Sequence, residues 1–97
     1  MKAVMIFYNQ ALTERVEYIL EKLSIRGFSR WENVQGVGSV SGNPRMDTHT
    51  WPENNSATMV IIEHEKVDSL LEAIKKLDSI NEEVGVRVFV WNIEQMV

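Results

Sequence analysis

Ninety-seven residues without a cysteine allow one small domain with a single modest core, and exclude disulfides, thiolate metal sites and a cysteine nucleophile. Ten Lys and Arg against 14 Asp and Glu give a formal charge of -4 and a pI near 5.1. That is the wrong sign for a protein that binds nucleic acid by neutralising phosphates, or that rests on an anionic membrane through a polybasic patch.

In chain order, Lys2 to Tyr8 is rich in β-branched and aromatic residues and predicts a buried first strand. This apolar run ends at Asn9-Gln10, too short for a secretion signal or a membrane span, so a soluble cytoplasmic protein is expected. Leu12, Val16, Ile19, Leu20 and Leu23 then recur at helical spacing, with Glu14, Arg15, Glu17, Glu21 and Lys22 on the opposite face and Thr13 as candidate cap. Gly27 suits the left-handed position past a helix end. Phe28 to Val34 reads as a second strand with one polar, solvent-facing side, ending in Gly36-Val37-Gly38.

From Ser39 to Ser56 there is no apolar periodicity, and a connection longer than roughly 12 to 15 residues in a compact domain is usually functional or disordered. Ala57 to Ile62 is the strongest strand signal in the chain, apolar enough to be central. Val67, Leu70, Leu71, Ile74 and Leu77 make the stripe of a second helix. A polar turn, Asp78 to Glu83, leads to a fourth strand, Val84 to Trp91, with bulky residues on both faces.

The order βαββαβ, with right-handed crossovers, predicts an α+β, ferredoxin-like sandwich: a four-stranded antiparallel sheet with two helices on one face, as a single domain over residues 1–97 with a long flexible loop at about 39–56. Helices cover one sheet face only. Some of Phe7, Met59, Phe89 and Trp91 are then left on the other, an exposed apolar patch unless another subunit covers it, so a homo-oligomer is expected.

Several residues have two readings. Gly36 and Gly38 either end a strand with a bulge or let a ligand approach the backbone. Within Met46 to Glu53, Asp47, His49 and Glu53 offer donors of the kind divalent metals use, whereas Asp47-Thr48 as a turn and Trp51-Pro52 as an apolar anchor is the reading preferred, since no two-histidine spacing is present. His64, between Glu63 and Glu65, reads as a helix-entry residue before it reads as a ligand; Trp31 and Trp91 read as packing residues before they read as stacking platforms. No Ser/His/Asp grouping or paired carboxylates emerge from spacing, so an enzyme is not expected.

The succession of Leu23-Ser24-Ile25-Arg26-Gly27-Phe28-Ser29, Val34-Gln35-Gly36-Val37-Gly38, a long loop, Val60-Ile61-Ile62-Glu63-His64-Glu65-Lys66-Val67 and Val88-Phe89-Val90-Trp91-Asn92-Ile93-Glu94 resembles the nitrogen-regulatory PII signal-transduction family across nearly the whole chain. The resemblance implies a homotrimer that binds a nucleotide or other small effector in the clefts between subunits, with a flexible T-loop that contacts a transporter or enzyme. By the same resemblance the glycine pair at the loop base falls on Gly36 and Gly38, flanking Val37. The adenine-contacting threonine falls on Ser29, and apolar residues near the adenine on Ile61 and Ile62. His49 and Trp51 lie in the partner-contacting loop.

The chain also departs from that family. Its second strand is one residue longer, its loop has no tyrosine to modify, and the basic, glycine-rich phosphate loop is replaced by Asp78-Ser79-Ile80-Asn81-Glu82-Glu83-Val84-Gly85. The family's basic tail has no counterpart before Val97. From Asp78 onward Asp78, Glu82, Glu83 and Glu94 stand against Arg87 alone, a sum of -3, where a triphosphate needs cations or a metal. ATP binding is therefore disfavoured and the effector left open. A trimer resembling the CutA-like proteins of divalent-cation tolerance, binding metal on the same scaffold, is the alternative.

Overall fold

The computed structural model describes residues 1–39, 43–80 and 85–97. Strand β1 (Lys2–Asn9) runs into a short 3-10 turn (Gln10–Leu12) and helix α1 (Thr13–Lys22); β2 (Ser29–Val34), β3 (Asn55–Ile62), α2 (His64–Ile80) and β4 (Arg87–Asn92) follow. The four strands form one sheet in the order β2-β3-β1-β4. All pairings are antiparallel. This is the ferredoxin-like α+β fold that the periodicity predicts.

Side chains alternate across the sheet, so register decides who meets the helices. Val4 lies opposite Val60 and Ile6 opposite Thr58, and on the other side Ile6 lies opposite Val88 and Val4 opposite Val90. Val4, Ile6 and Val60 make the core with Tyr8, Ile62 and the stripes Val16, Leu20 and Val67, Leu70, Ile74, Leu77; Val88 packs against it half-buried, and Val90 on the edge strand is exposed. Tyr8 is fully buried, and its phenol shares a 2.7 Å hydrogen bond with the Thr58 hydroxyl. Desolvation by burial raises the Tyr8 pKa, partly offset by the hydroxyls of Thr58 and Thr13. Next to this pair Ser56 is buried with an Oγ that has no hydrogen-bond partner.

Four boundaries differ from the sequence reading, each for a local reason. Thr13 is not the cap: Asn9 caps the 3-10 turn by accepting from the Ala11 N–H, while Thr13 begins α1 and its hydroxyl donates to the Gln10 carbonyl. Helix α1 ends at Lys22, well before Gly27. Ser24 takes the left-handed conformation at φ 58, its N–H donating to Glu21 and that of Ile25 to Leu20, the paired bonds of a Schellman close with Ile25 buried beneath it. Helix α2 continues past the expected end, through Asp78-Ser79-Ile80, where no Gly or Pro interrupts it. Strand β4 begins at Arg87 rather than Val84. Gly85 turns at φ +63, and Val86 donates its N–H to the Asp78 carboxylate. Val84 and the remainder of the expected Asp78–Glu83 turn, from Asn81 on, lie outside the described residues.

The second strand carries a bulge. Trp31 faces Ala57 but Val34 faces Asn55, so three steps on β2 match two on β3, with Asn33 at φ 56. Before the bulge, Arg30 sits on the helix-covered side and ion-pairs with Glu17 of α1. Trp31 sits on the open side.

Candidate functional site

Three regions bear on function: the open sheet face, a cleft at one end of the β2–β3 ladder, and the loop base at the other. The open face is built by the residues between the core positions: Met5 and Phe7 of β1, Met59 and Ile61 of β3, Phe89 and Trp91 of β4, and Trp31 of β2. Phe7 and Phe89 meet edge to face at 6.1 Å. Phe89, Trp91 and Trp31 remain 54%, 46% and 47% exposed. Such a continuous aromatic and thioether surface is unusual for a solitary domain.

The cleft lies where the close of α1 approaches the end of β3 and the start of α2. Its walls are Met1, Ser24, Ile25, Arg26, Gly27, Ile61, Ile62, Glu63 and Lys66, around about 240 Å³. Lys66 closes one side by donating from Nζ to the Ser24 carbonyl at 3.1 Å. Arg26, Lys66 and Glu63 all line it, so the cleft holds two side-chain cations and one carboxylate. Period-2 alternation divides the two isoleucines: Ile62 is buried in the core while Ile61 belongs to the open face.

The loop base is drawn together by backbone pairing. Gly36 donates to Arg45 at 2.8 Å and Arg45 donates back at 2.7 Å, an isolated antiparallel bridge. Gln35 adds a side-chain bond to the Met46 carbonyl. Farther out, the Thr48 N–H bonds to the Trp51 carbonyl, the Trp51 N–H to the Thr48 hydroxyl and the Asp47 N–H to the Glu53 carbonyl. Asp47, at φ 52, and Thr48 thus form the expected turn. The segment expected as one loop from 39 to 56 is therefore pinned at Arg45, and its last two residues belong to β3.

The residues singled out in the sequence divide between these regions. Ile61 and Ile62 line the cleft, beside Gly27. Ser29 lies on exposed β2 opposite Met59. Gly36 sits at the loop base with Val37 and Gly38 exposed beyond it. From Asn55 to Ile61 the ladder spans about 20 Å, so one protomer does not gather the set around one small ligand. Among the described residues no three His, Asp or Glu side chains come together as a metal site, and Asp47, His49 and Glu53 form no such group within a protomer. His64 opens α2, as its neighbours predict.

Sequence reasoning passed over Arg26, Lys66, Arg45 and Gly85. Arg45 is the single Lys or Arg between Ser39 and Ser56; that solitude was the available signal. Its guanidinium donates to Asn55 Oδ1 at 2.8 Å and reaches the Gly85 carbonyl at 3.5 Å.

Among the described residues the site thus consists of a ferredoxin-like sheet with one apolar face that neither helix covers and a loop pinned at Arg45. The family model for nitrogen regulatory protein P-II matches residues 1–97, and the chain belongs to that family. Among solved structures it is similar to CPII, a nitrogen regulatory PII-like protein from Thiomonas intermedia K12 bound to ADP, AMP and bicarbonate, at TM-score 0.74 and 22% identity, covering 95% of this chain and 88% of that one. The same protein bound to ADP, AMP and acetate gives TM-score 0.76 and 23% identity, covering 95% and 84%. A PII-like signaling protein from Thermus thermophilus gives TM-score 0.69 and 20% identity, covering 95% and 85%. No curated protein matches the chain.

Proposed function

We propose that this P-II family member is a cytoplasmic, non-catalytic regulator that assembles as a homotrimer, holds a small effector in the clefts between subunits and uses the segment around His49 and Trp51 to contact a partner such as a membrane transporter or enzyme. The observation that carries the reading is the open sheet face, where Phe89, Trp91 and Trp31 stand about half exposed. Burial of such side chains stabilises association by about 25 cal/mol per Å² of apolar area. Ser29, Ile61, Ile62 and the backbone at Gly36, Val37 and Gly38 are the effector-contacting residues in this reading. Assembly supplies what one protomer lacks: it brings the cleft end of one subunit within reach of the loop base of the next. Family membership over the whole chain favours this over the CutA-like metal-binding trimer.

CPII, with bound ADP, AMP and bicarbonate, supports an adenine nucleotide as the effector class. The acidic stretch from Asp78 to Val97, at -3, favours a mono- or diphosphate over a triphosphate. Calorimetry of the assembled protein with AMP, ADP and magnesium-ATP tests this. AMP or ADP should bind with ATP weakest; absence of all three would remove the nucleotide reading, and submicromolar ATP affinity would contradict the charge argument. Trp51→Ala should weaken partner binding while leaving the fold intact.

A further inference from the structure

The cleft between the close of α1 and the start of α2 reverses the sign of the chain around it. The protein carries a formal charge of -4, yet Arg26 and Lys66 line this one space of about 240 Å³ with the single carboxylate of Glu63. Lys66 Nζ donates to the uncharged Ser24 carbonyl at 3.1 Å. Among the described residues the side chains of Arg26 and Glu63 enter no hydrogen bond or ion pair, so the cations are left for solvent or a ligand. The floor is apolar, with Ile25 and Ile62 both buried. At Gly27 the rim is open, since a Cβ added there would meet nothing within 4 Å. The 17-residue helix α2 begins at this space, where the Lys66 N–H donates to the Glu63 carbonyl at 3.0 Å, and the positive end of its dipole adds to the two cations.

A guanidinium fork beside a separate ammonium offers more donors than the two oxygens of a carboxylate can take, and two cations are balanced by a dianion. A phosphate monoester has both properties, with three terminal oxygens and a charge of about -1.5 to -2 at neutral pH. Its carbon arm finds the isoleucine floor.

We infer that this cleft is a second binding site, complete within each protomer, for a small phosphate monoester: Arg26 takes two phosphate oxygens, Lys66 takes the third, and Glu63 is the one charge that opposes the ligand. The site goes beyond the regulatory reading above. Its cationic wall belongs to the helix side of one chain, and from Asn55, beside the loop base, to Ile61 the ladder runs about 20 Å, so the site is separate from Gly36 to Gly38 and needs no second copy.

The test is a titration of the full chain with sodium glycerol 3-phosphate, inorganic phosphate, acetate and chloride at constant ionic strength, followed by the backbone amide resonances of Ser24, Gly27, Glu63 and Lys66. Saturable shifts are expected with both phosphates, tighter for the ester because its arm covers the floor, and none with acetate or chloride. Arg26→Gln should weaken binding at least tenfold, and Glu63→Gln should tighten it several-fold. Lys66→Gln should also weaken it but loses the Ser24 contact, so Arg26→Gln, on an exposed side chain, is the deciding variant. Phe89→Glu, which should separate the copies, is expected to keep phosphate binding while removing the clefts between subunits; loss of phosphate binding in that variant would place the site between copies and overturn the inference. Linear shifts equal for all four salts, an adventitious ion only, would overturn it too, as would acetate binding as tight as phosphate or unchanged affinity in Arg26→Gln.

Discussion

The two faces of the sheet are made by alternate residues of the same strands, yet they end in opposite states. Val4, Ile6 and Tyr8 of β1 are sealed beneath two helices, while on β4, across the sheet from Met5 and Ala3, Phe89 and Trp91 stand half exposed. Both faces carry apolar residues of similar size. The difference lies in what covers them: among the described residues, two helices lie on one face and none on the other. A strand pattern that is apolar on both sides thus encodes a core and, on the other face, an exposed apolar surface.

That contrast can be broken by substitution. Leu70→Ala on the covered side should cost about 2 to 5 kcal/mol of protomer stability, because the fully buried side chain leaves a cavity that packed helices close only in part. Urea unfolding measured in a Phe89→Glu background would separate this from assembly. Phe89→Glu by itself should abolish self-association while costing the protomer only about 1 kcal/mol, chiefly the edge-to-face contact with Phe7. A protomer that melts on this change would make the open face structural in its own right.

Two smaller effects sharpen the picture of the covered face. Tyr8→Phe should cost roughly 1 kcal/mol by stranding the Thr58 hydroxyl. Burial raises the Tyr8 pKa above its ordinary 10.0, so the folded state holds the phenolic proton more tightly than the unfolded one. Its contribution is complete below that ordinary value and is lost as pH rises through the raised one. Wild-type stability should therefore fall at alkaline pH with a component that is missing in Tyr8→Phe, read from unfolding midpoints across that range. Smallest is Ser56→Ala, expected to be neutral or to stabilise by up to about 1 kcal/mol, since it removes a buried hydroxyl that lacks a partner.

Strand and helix identities were legible because their apolar periods, two and 3.6, are local properties of the chain. The register of the second strand was not, because the bulge between Trp31 and Val34 appears only in its pairing with β3. The end of α1 was not, because Ser24 rather than a glycine takes the left-handed turn and the buried Ile25 beneath it is a tertiary contact. The site was harder still. Ile61 and Ile62 look equivalent as neighbours, and only the pairing register shows that they face opposite sides of the sheet. Arg45 gathers Gly36, Asn55 and Gly85 from three separate segments, a convergence with no short-range pattern.

The central claim is that copies of this chain cover the open sheet face and so create the effector clefts. Sedimentation equilibrium of the wild-type chain at micromolar concentration tests it most directly. The account predicts a single species of three times the 11.2 kDa chain mass, reduced to one chain by Phe89→Glu. A stable wild-type monomer at that concentration would contradict it.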